Sequence, residues 1–151
     1  MKSETNPVAI EDYSFGIIPV IQKEGVWNFL IVHQNTGNWS FPKGHQEENE
    51  TVLDTVKREL WEETGITDCV IHEDITFSND YQFEKDDKTY HKTNTYYLGF
   101  PSSDEITVPE IWQHEIIACK WCEYDEAKAL LKFESMVGVL DDVVNALKSL
   151  D

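Results

Sequence analysis

Residues 50–65 read ETVLDTVKRELWEETG, and this stretch decides how the rest of the chain is interpreted. Apolar residues recur in it at helical spacing, and a glycine follows at the position that commonly ends a helix. The pattern predicts a helix from about residue 50 to residue 65. On a projection at about 100° per residue, the apolar positions share one arc about 100° wide, which should be the buried face. These positions are Val52, Leu53, Val56 and Leu60.

Three glutamates of this helix lie at the margin of its apolar face. Glu63 projects inside the apolar arc, Glu59 on its border and Glu62 next to Glu59. Like charges three or four residues apart on a helix destabilise it by about 0.2–0.5 kcal/mol per pair, and by more when partly desolvated. A bound cation would offset this repulsion. Carboxylates at this density suit Mg²⁺ or Mn²⁺ better than zinc, and such an ion would promote hydrolysis of a phosphoanhydride bond.

A solvated acidic face is the alternative interpretation of the same residues. An isolated E-x-x-E-E string in a chain rich in acids is more often solvated than metal-binding. The position of Glu63 weakens this alternative, because a solvated acid should avoid the apolar arc of its helix.

Composition limits the architecture and the partners. With 151 residues and 40% hydrophobic content, the chain can bury one sizeable core, so we expect a single domain over residues 1–151. Its 29 acids and 12 bases give a formal net charge of −17, which should repel long nucleic acid, anionic membranes and free phosphates. A polyanionic substrate would therefore need bound cations or a few well-placed lysines.

The absence of long apolar runs and the cysteine content predict a cytoplasmic protein. No segment has the length of a signal peptide core or approaches the roughly 18 apolar residues of a membrane span. The three cysteines, Cys69, Cys119 and Cys122, do not suggest a disulfide framework, and the C-x-x-C pair has strand spacing typical of small core residues. We expect a monomer, with a homodimer as the alternative.

The remaining periodicity predicts an α/β sandwich, with a sheet in the middle and helices outside. A hairpin is predicted first, with Pro19 placing an edge or a bulge in its first strand, and a loop over residues 35–45 then presents Lys43. The predicted strands are residues 13–21, 26–33, 69–77, 92–100 and 115–121, and the predicted later helices are residues 124–131 and 136–150.

Residues 44–66 match every defined position of the signature of the Nudix hydrolases, G-x5-E-x7-R-E-U-x-E-E-x-G-U, where U is a bulky apolar residue. Arg58, the only arginine of the chain, falls on the arginine position. The chain therefore resembles that family. The resemblance implies a Nudix-like α/β/α sandwich with a central mixed sheet, and hydrolysis of a nucleoside diphosphate linked to another group.

The same resemblance implies roles for the residues of the motif. Arg58 would pair with acids to orient the helix, with Glu50 as its expected partner. One of the glutamates would also activate the attacking water, but the sequence does not say which. The implied ligands of Mg²⁺ or Mn²⁺ are Glu59, Glu62, Glu63 and the carbonyl oxygen of Gly44.

Segments outside the motif resemble the asymmetrical diadenosine tetraphosphate hydrolase branch of the family. They are SFPKGH at residues 40–45, the His114-Glu115 pair and FESM at residues 133–136. By this likeness Lys43 would contact the polyphosphate, and Glu115 would supply a further metal ligand or a base. Tyr81, Lys92 and Phe133 would lie near the nucleotide, although strand aromatics such as Tyr81 are more often packed, and Phe133 could equally be a core residue at a helix end.

Two departures from that branch leave the substrate open. Glu48-Asn49 stands where the branch commonly has Pro-Gly, and the segment of residues 81–92 is longer than usual. Our main hypothesis is asymmetric cleavage of a dinucleoside polyphosphate such as diadenosine tetraphosphate. The alternatives are a nucleoside triphosphate, an RNA 5′ end or a diphosphoinositol phosphate as substrate, and a catalytically silent module that senses a nucleotide.

Overall fold

The computed structural model describes residues 8–150. The predicted domain span of 1–151 includes terminal residues that lie outside the described part. The expectation about a signal peptide also concerns residues outside it. The strands are β1 (Ile10–Lys23), β2 (Val26–Gln34), β3 (Trp39–Ser40), β4 (Lys43–Gly44), β5 (Cys69–Lys85), β6 (Lys88–Pro101) and β7 (Ile116–Cys122). The helices are α1 (Val52–Thr64), α2 (Tyr124–Leu131) and α3 (Glu134–Leu150), and a 3₁₀ turn spans Glu110–Trp112.

A mixed sheet forms the middle layer. Its main order is β3-β2-β1-β6-β5, while β4 pairs with β1 and β7 pairs with β2. The long β1–β6 pairing is parallel, and the other pairings are antiparallel. One core lies between the sheet and α2 and α3, and a second core lies between the opposite face and α1. The predicted α/β sandwich with a central mixed sheet is therefore confirmed.

The first strand runs through the centre of the sheet and changes its partner. Residues 10–19 pair with β6, and residues 20–23 pair with β2. Pro19 is the last residue of β1 that pairs with β6. Pro19, which has no N–H to donate, lies where the ladder to β6 ends, in agreement with the predicted local edge.

The hairpin of β5 and β6 is longer than its sequence suggests. The charged residues 83–88, which read as a break between strands, continue the pairing to Lys85 and Lys88. Asp86 and Asp87 form the turn, with φ angles of 53° and 62°. Two successive left-handed residues suit the tight turns that match strand twist, so a charged segment can close a hairpin.

The motif helix begins at Val52, two residues after its predicted start at about residue 50, and it ends at Gly65 as predicted. Thr51 is the N-cap, and its hydroxyl and the Asp54 carboxylate accept each other's backbone N–H at 3.1 Å. Gly65 ends the helix in the left-handed region, with φ of 79°. Residues 35–45, predicted as a loop, also contain the short strands β3 and β4. None of the helices between residues 8 and 150 combines the length and apolar character needed to cross a membrane.

Candidate active site

Glu63 lies on the buried side of α1, as its projection predicted. The side chains of Val56 and Leu60 are fully buried beside it, and Glu63 itself is only 6% exposed. Burial, followed by hydrogen bonding to and repulsion from Glu59, raises the pKa of Glu63 well above its usual range. The ionised form of a carboxylate is disfavoured in this position, and a nearby cation would stabilise it.

Gln34 supplies a polar contact to this buried acid. Gln34 is the last residue of β2, and its Nε2 donates a hydrogen bond of 3.1 Å to Glu63 Oε1. The contact joins residues 29 positions apart in the chain, and nothing in the local sequence around Gln34 indicates it. It helps to fix the carboxylate of Glu63, and both residues line the cavity described below.

Arg58 binds more acids than its expected partner. Its Nε donates to Glu50 Oε2 at 2.6 Å and its Nη2 to Glu50 Oε1 at 3.1 Å, which is the predicted pairing. These bonds lower the pKa of Glu50 to about 2. Arg58 Nη1 also donates to Glu59 at 2.8 Å and to Glu62 at 3.2 Å, so the guanidinium neutralises two of the proposed metal ligands in this conformation.

Gly44 lies directly beneath the carboxylate of Glu59. A Cβ atom built on Gly44 would collide with that carboxylate, so the lack of a side chain lets Glu59 approach the backbone of β4. Lys43 precedes it in the same short strand, and β4 is held by its pairing with Phe15 and Gly16 of β1. The sheet thus presents the backbone of β4 to the acids of α1.

The donor chemistry of this region fits a divalent cation, although the side chains are not gathered around one point. Within residues 8–150, no three His, Cys, Asp or Glu side chains are grouped closely enough to hold a metal ion. The hydrogen bonds from Arg58 account for the directions of Glu59 and Glu62. Burial and the charge of Glu59 also raise the pKa of Glu62, so both acids would gain from a cation, and oxygen donors suit Mg²⁺ or Mn²⁺.

A cavity of about 690 Å³ is lined by nearly all of the predicted site residues. Arg58 is the exception: it does not line the cavity itself, although its guanidinium bonds to Glu59 and Glu62, which do. The predicted residues that line the cavity are Lys43, Gly44, Glu59, Glu62, Glu63, Tyr81, Lys92, Glu115 and Phe133.

Two lysines provide positive charge on the wall of this cavity. Lys92 is 6% exposed, and its Nζ bonds to Ser14 Oγ and lies 3.3 Å from both Asp12 Oδ2 and His45 Nε2. Burial and the neighbouring charge of Lys92 lower the pKa of Lys43. An anion between the two ammonium groups would reduce that repulsion.

Glu115 and the two predicted aromatic residues occupy the more open part of the cavity. The Glu115 side chain is 50% exposed, and its carboxylate lies 3.8 Å from His114 Nε2. Within the described part of the chain, no hydrogen bond or ion pair joins this carboxylate to the acids of α1. Tyr81 is 43% exposed and Phe133 is 52% exposed, which is unusual for aromatic residues of a core. Both can therefore contact a ligand.

The cavity floor contains polar residues that sequence reasoning missed. Asn79 is 8% exposed and Asn94 is 2% exposed. Both line the cavity together with Ser135. Buried amides inside strands depart from the usual strand composition, and this departure was the available signal.

Comparison with known proteins places the chain in a family. The sequence model of the NUDIX domain matches residues 11–143. The chain belongs to the Nudix family. It is therefore a Nudix-type pyrophosphohydrolase, an enzyme acting on acid anhydrides, and the alternative of a catalytically silent module is set aside. Nudix hydrolases generally use divalent metal ions and act on small nucleotide substrates.

Individual relatives of this Nudix hydrolase confirm its resemblance to the asymmetrical branch. It is 29% identical over 130 residues to the asymmetrical bis(5′-nucleosyl)-tetraphosphatase of Rattus norvegicus, covering 83% of this chain and 84% of that protein. It is 31% identical over 110 residues to phosphatase NudJ of Escherichia coli K12, covering 71% of this chain and 66% of that protein. The crystal structure of a C. elegans Ap4A hydrolase binary complex superimposes with a TM-score of 0.79 and 26% identity, covering 91% of this chain and 98% of that one.

Proposed function

We propose that this Nudix hydrolase cleaves a dinucleoside polyphosphate, such as diadenosine tetraphosphate, asymmetrically. The observation that carries the proposal is the arrangement of one cavity. It is lined by acids of α1, by Lys43 and Lys92, and by the exposed rings of Tyr81 and Phe133. These are the groups needed for metal ions, a polyphosphate chain and a base, respectively.

The metal ligands in this proposal are Glu59, Glu62, Glu63 and the carbonyl oxygen of Gly44. Mg²⁺ or Mn²⁺ bound there would lower the pKa of a water molecule and neutralise charge on the phosphoryl oxygens. Water oxygen forms a bond to phosphorus, and the bridging P–O bond breaks. Glu63 is held by Gln34 on the buried side of the site, and Glu115 on the open side is a second candidate for accepting the proton of the water.

The lysines act on the substrate rather than on the metal. The ammonium groups of Lys43 and Lys92 would contact the phosphates, which the chain otherwise repels through its net charge of −17. Asp12 and Ser14 hold Lys92 in place before the substrate arrives, so little side-chain freedom remains to be lost on binding. The same charge favours a small nucleotide over long nucleic acid. A monomeric, single-domain cytoplasmic enzyme completes the proposal.

A substrate panel tests this function. Purified protein with Mg²⁺ is assayed against diadenosine tetraphosphate, nucleoside triphosphates, 5′-triphosphorylated RNA and a diphosphoinositol phosphate, and the nucleotide products are separated by chromatography. We expect the highest kcat/KM for diadenosine tetraphosphate, with AMP and ATP as products. Much faster turnover of a nucleoside triphosphate, or two molecules of ADP as products, would contradict the proposal.

Variants assign the roles of the charged residues in the same assay. Glu63→Gln should abolish turnover while the protein stays folded, and Lys43→Met should raise KM because a phosphate contact is lost. Lys57→Met is the matched control, since Lys57 is exposed on α1 and does not line the cavity. Substantial activity in Glu63→Gln would refute the role assigned to that residue.

A further inference from the structure

Three polar residues form a row across the floor of the cavity. Asn79 of β5 and Asn94 of β6 are directly paired across the antiparallel ladder, and Ser14 of β1 is paired with Asn94 on its other side. The side chains of all three are buried, and all three line the cavity. Ser14 accepts a hydrogen bond from Lys92, so its hydroxyl belongs to the lysine site. The two asparagines form a separate hydrogen-bonded unit.

The hydrogen bonds of this unit run in one direction. Asn94 Nδ2 donates to Asn79 Oδ1 at 3.0 Å, and Asn79 Nδ2 donates to Ser135 Oγ at 3.1 Å. Met136 Sδ lies 3.1 Å from the same Asn79 nitrogen. Turning the Asn79 amide over would bring its oxygen against this sulfur, where no hydrogen bond can form. Met136 and Ser135 therefore fix the amide of Asn79, and Asn79 in turn fixes the amide of Asn94.

This orientation leaves one acceptor without a donor. Asn94 Oδ1 is buried, and no group within residues 8–150 donates a hydrogen bond to it. Buried side-chain oxygens are nearly always paired in folded proteins, and an unpaired one needs a specific explanation. Because Asn94 is one of the residues that line the active-site cavity, a ligand bound there can supply the missing donor.

The surroundings of Asn94 distinguish between the parts of a nucleotide. A phosphate is excluded as the partner, because its oxygens at neutral pH are acceptors and would repel Asn94 Oδ1. On the same face, Lys92 lies two residues before Asn94 in β6, and Tyr81 lies two residues after Asn79 in β5. Phe133 lies two residues before Ser135. The asparagine pair therefore lies near the two aromatic residues in sequence, and Asn94 is two residues from Lys92, the lysine proposed to bind phosphate.

We infer that Asn94 Oδ1 accepts a hydrogen bond from the exocyclic amino group of the bound nucleobase, and that Asn79 and Ser135 position it to do so. The inference rests on the proposed function, because it assigns the base of that substrate to this part of the cavity. It makes Asn94 a specificity-determining residue: an aminopurine is accepted, and a purine that lacks the amino group leaves the buried acceptor unpaired.

A binding experiment without turnover tests the inference. Affinities for AMP, purine riboside 5′-monophosphate and 2′-deoxy-AMP are measured by calorimetry for the wild type and for Asn94→Leu. One hydrogen bond to a buried acceptor predicts that the wild type binds AMP about tenfold more tightly than the analogue lacking the amino group. Asn94→Leu should bind the two equally. The deoxy analogue distinguishes the base from the ribose, and it should bind the wild type as AMP does.

Two controls separate recognition from stability. Thr95→Val changes a neighbouring residue on the opposite face of β6, and it should keep the preference for AMP. The double variant Asn79→Leu/Asn94→Leu removes the whole amide pair, so a loss of preference in it cannot be assigned to an unpaired Asn79. Thermal melting verifies that each variant is folded.

The results that overturn the inference are specific. They are equal affinity of the wild type for AMP and the analogue, no binding of either nucleotide, a preference that survives in Asn94→Leu, or a loss of affinity confined to the deoxy analogue. These results are independent of the substrate panel, because a protein that cleaves no dinucleoside polyphosphate can still discriminate between the two monophosphates. A failed panel with retained discrimination would leave Asn94 as a base-recognition residue for another nucleotide.

Discussion

The carboxylate of Glu59 rests on the backbone of Gly44, in the space where any other residue would carry its Cβ atom. This contact joins the first residue of the Nudix motif, the glycine of β4, to the first glutamate of the acid cluster on α1. Because the colliding group is the flexible end of a side chain, a substitution at Gly44 should move the carboxylate rather than disrupt the sheet.

Gly44→Ala should therefore separate folding from function. We expect a free energy of unfolding within about 1 kcal/mol of the wild type, because only the end of a flexible side chain must move. Turnover should fall at least about tenfold, because the displaced carboxylate no longer holds its place in the metal site. Chemical denaturation and steady-state kinetics with Mg²⁺ measure the two effects.

Gly138→Ala is the matched control for this substitution. Gly138 is exposed on α3, and a Cβ atom added there meets no described neighbour within 4 Å. The change should stabilise the helix by about 0.5–1 kcal/mol and leave turnover unchanged. Full activity in Gly44→Ala would show that Glu59 need not lie against β4.

Arg58→Lys should destabilise the protein although the charge is kept. The guanidinium is 20% exposed and binds Glu50, Glu59, Glu62 and the backbone oxygen of His45 at once, which an ammonium cannot reproduce. We expect the free energy of unfolding to fall by about 2 kcal/mol, measured by urea denaturation. Lys57→Ala on the exposed side of α1 should change it by less than about 0.5 kcal/mol. Equal effects of the two variants would argue against this network.

Glu63→Gln should stabilise the metal-free protein and prevent its stabilisation by metal. The folded-state pKa of Glu63 is raised above 4.5, so ionisation of this carboxyl destabilises the fold progressively as the pH rises above 4.5. In EDTA, the melting temperature of Glu63→Gln should therefore exceed that of the wild type by an amount that grows with pH. Excess Mn²⁺ should raise the melting temperature of the wild type far more than that of the variant.

The control for this prediction is Glu73→Gln, which changes an exposed glutamate of β5. Its melting temperature in EDTA should follow that of the wild type at every pH. A Glu63→Gln protein that melts below the wild type at pH 8 in EDTA would mean that the buried carboxylate is fully compensated without metal.

His91 should contribute stability that disappears as the pH rises. Hydrogen bonds first to Asp80 and then to Glu11, at 2.8 and 2.9 Å, raise its pKa above 6.5. A raised pKa gives stability that is fully present below pH 6.5 and lost as the pH rises through the folded-state value. His91→Gln should therefore lower the melting temperature more at pH 5.5 than at pH 9, and added salt should reduce the difference because the pairs are exposed.

His72→Gln is a suitable comparison, since the described residues supply no ion-pair partner for His72. Its effect on the melting temperature should change less with pH. A penalty for His91→Gln that is constant from pH 5.5 to pH 9 would show that the histidine is not charged in the folded protein.

The sequence predicted those parts of the site that depend on short segments. The existence of α1, its end at Gly65 and the burial of Glu63 all follow from spacing within one helix, where periodicity is reliable, whereas its start lies two residues after the predicted one. The pairing of Arg58 with Glu50 was predicted from the resemblance to a family motif, and the hydrogen bond between them is present in the structure. The extra bonds from Arg58 to Glu59 and Glu62 were not foreseen, because they depend on the rotamers of three side chains.

The parts that the sequence did not predict join distant segments. Gln34 and Glu63 are 29 residues apart, and Asn79 and Ser135 are 56 residues apart. Such contacts depend on sheet order and on how α3 packs, which a single amino-acid sequence does not specify. The strands β5 and β6 were predicted too short, with a break between them, for a different reason: the exposed charged residues carry no apolar alternation, although they pair through their backbones.

The central claim is that Glu59, Glu62 and Glu63 of α1 can turn to bind a divalent cation. Anomalous diffraction from a crystal grown with Mn²⁺ tests this claim most directly. We predict an anomalous peak within about 2.3 Å of oxygen atoms of Glu59, Glu63 and the Gly44 backbone, with Glu62 turned from Arg58 towards the ion. Glutamates that stay on Arg58 and Gln34 at saturating Mn²⁺, with no peak between them, would contradict it.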